Sequence, residues 1–145
     1  MPVILPCPAC RTSNRIPAAH LTDVGRCGSC KAPLPAAAAP IDVDAALFDE
    51  IVGAVKVPVL VDFWAAWCGP CRRAAPEVEK AAQNLAGRAV VIKVDTESHP
   101  DLAARFGVQG IPNFAVLREG RVVHQQPGLV PHTTLEEWLT SAAHA

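Results

Sequence analysis

Apolar positions change their period along this chain, and the changes mark out its elements. Pro58 to Trp64 and Arg88 to Asp95 are apolar at nearly every position, which predicts central strands covered on both faces. Ile41 to Val43 predicts a short edge strand. Asp44 then caps a helix with Leu47, Phe48, Ile51 and Val52 on one face. A second helix is expected over residues 69–86. Its buried stripe is Ala75, Val78, Ala82 and Leu85, with Pro76 as a kink and Gly87 as its stop. Ser98 or His99 opens a short third helix, with Pro100 in its first turn and Gly107 past its end. Asn113 to Arg118 and Arg121 to Gln126 flank Glu119-Gly120, a two-residue hairpin signal. Thr133 and Glu136 form a capping box for a last helix whose Leu135, Trp138, Leu139 and Ala142 face inward. The order βαβαβαββα predicts an α/β fold with parallel central strands, a terminal antiparallel hairpin and helices on both faces.

Before Ile41 no such period exists. Residues 7–30 instead hold Cys7-Pro8-Ala9-Cys10 and Cys27-Gly28-Ser29-Cys30, two C-x-x-C pairs at the spacing of a four-cysteine zinc site. Each pair forms a knuckle that turns two sulfurs toward one ion, and two knuckles close a tetrahedron with no open position for water. Such a site is structural. Ile16, Leu21 and Val24 are too few to build a core, so metal binding is expected to supply most of this segment's folding energy. Two disulfides or four free thiols are the other readings. Lys31 to Pro40 carries three prolines among alanines and reads as a semi-extended linker. The predicted organisation is a zinc ribbon over residues 1–36, a linker over 31–40 and the α/β domain over 41–145, with few obligatory contacts across the boundary.

With 145 residues, half of them hydrophobic, there is room for one ordinary domain and a small appendage. A net charge of −1 asks for neither nucleic acid nor an anionic membrane. The ribbon is mildly basic but has no aromatic residue for base stacking, so its charges read as a solvated surface. Val3-Ile4-Leu5 is too short for a signal peptide core, and no apolar run approaches a membrane span. Six cysteines in three C-x-x-C pairs then suggest metal and redox chemistry in a reducing, cytoplasmic setting.

The third pair, Cys68-Gly69-Pro70-Cys71, lies between a strand and a helix. At a helix start, unpaired N–H groups and the helix dipole favour a thiolate, so Cys68 is the expected nucleophile. Cys71, one turn on, can attack a mixed disulfide on Cys68 and release the other half. Pro70 suits the first turn. The alternative is half of a metal site. Two charges interrupt the central strands, Asp62 and Lys93. As neighbours they would set a carboxyl whose pKa burial raises and the lysine lowers, poised to take the proton from Cys71. A buried ion pair without a catalytic part is the other reading.

Residues 67–71, Trp-Cys-Gly-Pro-Cys, resemble the thioredoxin active site at every position, and the resemblance covers about residues 41–142. With the ribbon in front, the chain is similar to the thioredoxin 2 type, bacterial thioredoxins with an N-terminal zinc ribbon. The resemblance implies a disulfide reductase with Cys68, Cys71, Asp62 and Lys93 in catalysis. It implies a cis peptide at Ile111-Pro112 facing the thiols, and a client surface made by Trp67, Gly69, Pro70, Ile111, Pro112 and Gly128. It implies structural Zn2+ on Cys7, Cys10, Cys27 and Cys30, with no redox cofactor other than the Cys68-Cys71 dithiol/disulfide. The partners it implies are disulfide-containing client proteins and an NADPH-dependent flavoprotein reductase, the protein itself being a monomer. Two positions depart from the family pattern. Asn113 stands where a threonine is usual, and Ala66 where proline is common. A zinc-ribbon binding module, or a redox-sensing holdase acting through the ribbon thiols, is the competing function.

Overall fold

Two antiparallel hairpins open the chain. The computed structural model describes residues 3–144. Strand β1 (Val3–Pro6) pairs with β2 (Ser13–Ile16), and β3 (Gly25–Arg26) pairs with β4 (Pro33–Leu34). A single 3-10 turn, Ala18–His20, joins the hairpins. The proline-rich stretch is therefore less uniform than its composition suggests, because Pro33–Leu34 is a strand and Leu34 is buried beside Cys7 and Cys27.

Then follow β5 (Ile41–Asp42), α1 (Ala45–Ala54), β6 (Val59–Trp64), α2 (Gly69–Asn84), β7 (Val90–Asp95), α3 (Pro100–Arg105), β8 (Asn113–Arg118), β9 (Arg121–Pro127) and α4 (His132–Ala143). The five strands lie in the order β5-β7-β6-β8-β9. β5, β7 and β6 are parallel, while β8 and β9 run antiparallel to their neighbours. This is the predicted α/β order, element for element. Glu119 and Gly120 turn the last hairpin with φ of +53° and +80°, as a two-residue hairpin requires.

Alternation along β6 separates the core into two layers. Val59, Val61 and Phe63 face α1 and α3, whereas Leu60 and Asp62 lie on the side of α2 and α4. The stripe of α2 is Cys71, Ala74, Val78, Ala81, Ala82 and Leu85. Ala74, not Ala75, is the buried alanine near its start, because a helix that buries Cys71 turns Ala74 inward three residues later. Capping at the last helix also differs. Pro131 is the N-cap and offers no side-chain acceptor, so Thr133 and Glu136 form no box. Glu136 is drawn instead to His132 and to Asn84 of α2. Trp138 is half-buried, its ring 4.4 Å from that of His124.

The boundary between ribbon and sheet is not sparse. Val3, Ala18 and Leu21 share one apolar cluster with Phe48, Ile51 and Val55, and Leu21 is only 1% exposed. The Leu21 carbonyl also accepts the Ala37 N–H at 2.9 Å. A ribbon with too few apolar residues for its own core thus joins the core that α1 lines. Burying a leucine or valine contributes about 1.5–3 kcal/mol, so this seam stabilises both partners.

Candidate active site and metal centre

Cys68 is the N-cap of α2, and Cys71 lies in its first turn. Strand β6 delivers the chain to this point, and Pro70 starts the helix where no donor is lost. The two sulfurs form a disulfide. Cys68 Sγ also accepts the Cys71 N–H at 3.1 Å, so helix N–H groups and the dipole both act on the sulfur of Cys68. Cys68 and Cys71 are 3% and 4% exposed, so accessibility does not distinguish them; position on the helix does.

Around the disulfide the fold assembles residues distant in sequence. Ile111-Pro112 is cis, and the Ile111 carbonyl lies 3.7 Å from Cys68 Sγ. Gly128, with φ of +103°, donates its N–H to the Pro112 carbonyl at 2.8 Å. A Cβ at Gly128 would meet nothing within 4 Å, so the space above it is open. Trp67 is 66% exposed, and its indole N–H donates to Glu97 at 2.7 Å. Glu97 gave no signal in the sequence, since only the β6–β7 register brings it beside the loop. Asn113 is buried, and its amide oxygen accepts from Gln125, which donates also to the Phe106 carbonyl. Gly69 and Pro70 lie in the first turn between the sulfurs.

Asp62 and Lys93 are direct partners in the β6–β7 register. Among the described contacts their side chains form no ion pair, the alternative that the sequence left open. The Lys93 ammonium lies 4.6 Å from the ring centroid of half-buried Trp64. Asp62 Oδ1 is buried without a hydrogen-bond partner. Burial therefore dominates and pushes the Asp62 carboxyl up to about 7, with the nearby Lys93 charge working the other way. Such a group holds or releases a proton near neutral pH.

The ribbon gathers Cys7, Cys10, Cys27 and Cys30 so that all four sulfurs lie within 4.8 Å of one another. Cys7 and Cys30 are 3.7 Å apart, and Cys10 and Cys27 are 3.6 Å apart. A tetrahedron with bonds of about 2.3 Å has edges of about 3.8 Å, so the donor set fits a tetrahedral thiolate site. The two knuckles are built alike. Arg11 N–H donates to the Cys7 carbonyl and Lys31 N–H to the Cys27 carbonyl, with φ of +65° at Arg11 and +66° at Lys31. Asn14 links the knuckles: its oxygen accepts the Gly28 N–H at 2.9 Å and its nitrogen lies 3.6 Å from Cys27 Sγ. Backbone N–H groups of Cys30 and Ser29 hold the Cys27 thiol down to about 6. His20 stays outside this group, exposed and paired with Asp23.

Comparison with known proteins gives consistent matches. A family model described as Thioredoxin matches residues 39–141, and one described as Thioredoxin 2, N-terminal, matches residues 6–32. "Thioredoxin C-3" of Corynebacterium nephridii is 34% identical over 138 residues, covering 94% of this chain and 93% of that protein. "Thioredoxin 1" of Nostoc sp. is 47% identical over 83 residues, covering 57% of this chain and 78% of that protein. Among solved structures, a mutant thioredoxin from Halobacterium salinarum NRC-1 superposes with a TM-score of 0.68 at 31% identity, covering 72% of this chain and 91% of that one.

Proposed function

Because this chain belongs to the thioredoxin family and is a protein disulfide reductase, we propose that Cys68 is its attacking thiol and Cys71 its resolving one. The observation that carries this assignment is the position of Cys68 as N-cap of α2, where helix N–H groups stabilise a thiolate.

The Cys68 thiolate attacks one sulfur of a client disulfide. A Cys68–client bond forms, and the other client sulfur leaves as a thiolate that takes a proton from solvent. Asp62 then accepts the Cys71 proton. The Cys71 thiolate attacks Cys68 Sγ, the mixed disulfide breaks, and the second client sulfur leaves. Two electrons have passed to the client, and the Cys68–Cys71 disulfide remains to be reduced by a partner enzyme. That partner is a thioredoxin reductase, here assigned as the NADPH-dependent flavoprotein kind. Lys93 acts on Asp62 through charge, limiting how far burial raises its pKa. Trp67, Gly69, Pro70, Ile111, Pro112 and Gly128 form the client face. The exposure of Trp67 and the open space above Gly128 support that assignment.

The ribbon is a four-cysteine metal site of the kind its family match describes. Zinc is the ion its chemistry favours, held by Cys7, Cys10, Cys27 and Cys30 with no position left for substrate. When bound, the ion supplies folding energy rather than catalysis. The domains divide at the linker, with residues 1–36 as the ribbon and 41–145 as the redox domain. Among the described residues no helix is long and apolar enough to cross a membrane. A cytoplasmic monomer is the assignment in keeping with reduced thiols. Insulin reduction by wild type, Cys68→Ser and Cys71→Ser tests the central assignment, with turnover expected only in wild type. Turnover retained in Cys68→Ser would refute it.

A further inference from the structure

The loop of residues 128–131 connects β9 to α4 and borders the cis-proline. One end is fixed by the Gly128 N–H, which donates to the Pro112 carbonyl at 2.8 Å. The other end meets the start of α4, where a helix has N–H groups without intrahelical partners. Pro131, the N-cap, has no side-chain acceptor to offer them. The His132 N–H donates instead to Glu77 Oε1 of α2, at 3.0 Å. One turn further, Glu136 takes the His132 ring N–H, and Asn84 of α2 donates to the same carboxylate oxygen at 3.2 Å. The active-site helix thus supplies the polar groups that pin the first turn of α4.

We infer that Glu77 is a positioning residue that fixes the 128–131 loop for protein clients. The loop is strung between the cis-proline and α2, with Leu129 exposed at its centre. Glu77 lies six residues beyond Cys71, roughly 9 Å along the helix at 1.5 Å per residue. It takes no part in the thiol chemistry. Its carboxylate replaces the local cap that Pro131 lacks, so the loop is ordered before a client arrives. Without Glu77 one anchor is lost, and ordering the loop opposes binding instead. A protein client spread over Trp67, Ile111 and Gly128 meets this loop. A small disulfide meets little beyond the sulfurs. This role for Glu77 rests on the client-face reading given above.

Steady-state reduction of insulin and of cystine, with dithiothreitol as electron source, separates the possibilities. Wild type is compared with Glu77→Ala, Glu77→Gln and Leu129→Asp. Glu77→Ala is expected to raise KM for insulin about fivefold, the size of one helix cap, with kcat nearly constant. Its efficiency on cystine should fall by much less. Glu77→Gln keeps an acceptor oxygen and should restore most of the insulin KM. Equal losses on both substrates, or a Gln variant as impaired as Ala, would make Glu77 a stabilising cap only. A KM that rises in Leu129→Asp but not in Glu77→Ala defeats the clamp alone. A KM that rises in neither defeats the client-face reading beneath it.

Discussion

The chain uses C-x-x-C three times, and the backbone after each pair decides what the sulfurs do. After Cys71 the chain continues as a helix, so Cys68 stays at the N-terminus with its sulfur bonded to the Cys71 N–H. After Cys10 and Cys30 the chain enters the left-handed region at Arg11 and Lys31, and the following strand folds back. The first backbone keeps two sulfurs within bonding distance of each other and of a client. The second points two sulfurs outward to meet two more. Spacing is shared, and the continuation selects redox or metal chemistry.

Metal removal should separate the two regions most strongly. Stripping the ribbon with a chelator removes on the order of 10–16 kcal/mol of binding energy from a segment without its own core. Hydrogen exchange should then show amide protection lost over β1–β4 and kept over β6, β7 and β8. Protection retained in the ribbon would mean that packing on α1 suffices to fold it.

Asp62 gives the next effect, within the redox region. The folded protein keeps the Asp62 proton up to about pH 7, whereas the unfolded chain loses it near the ordinary 3.8. The folded state then binds more protons across that window, so Asp62 costs nothing below about pH 4 and stability falls as pH rises to 7. Above pH 7 the cost reaches roughly 4 kcal/mol for a shift from 3.8 to about 7. Asp62→Asn should therefore match wild type in denaturant unfolding at pH 4 and exceed it at pH 8. It should also resolve mixed disulfides more slowly around pH 7 and just above, where Asp62 is ionised and able to take the Cys71 proton, with the deficit fading at lower pH as wild-type Asp62 protonates. An equal gain in stability at both pH values would point to packing rather than ionisation.

The seam between the regions is tested by Leu21→Ala, expected to destabilise by about 2–5 kcal/mol through the cavity left against α1. Unfolding of the sheet should move to lower denaturant along with the ribbon. A loss confined to the ribbon would show that the two fold independently. Truncation at Pro40 uncovers the same face of α1 and should lower stability too. The smallest effect is expected at Gly128→Ala. A φ of +103° strains any residue with a Cβ by roughly 1–3 kcal/mol, though no neighbour clashes. A melting temperature equal to wild type would mean that the loop relaxes freely.

Most of the architecture was legible in the sequence because each element carries its own signal. Apolar runs identified β6 and β7, Glu119-Gly120 the hairpin, and three C-x-x-C pairs the sulfur sites. What escaped was whatever depends on one element meeting another. Val3 and Leu21 read as isolated apolar residues until α1 lies against them. Thr133 and Glu136 read as a capping box until Asn84 and Glu77 of α2 arrive. Asp62 and Lys93 read as neighbours and are, but the second contact of the lysine, its ammonium over Trp64, had no signal in the sequence. The cis peptide before Pro112 followed from family resemblance alone, since local sequence does not distinguish it from the commoner trans form.

The division of labour between the two regions turns on one sulfur among six being the nucleophile. Insulin incubated with the reduced, metal-loaded Cys71→Ser protein should form a stable covalent adduct, and peptide mapping by mass spectrometry locates it. An adduct on Cys68 alone is the predicted result. An adduct on Cys7, Cys10, Cys27 or Cys30, with Cys68 left free, would contradict the division between a redox pair and a metal-binding four.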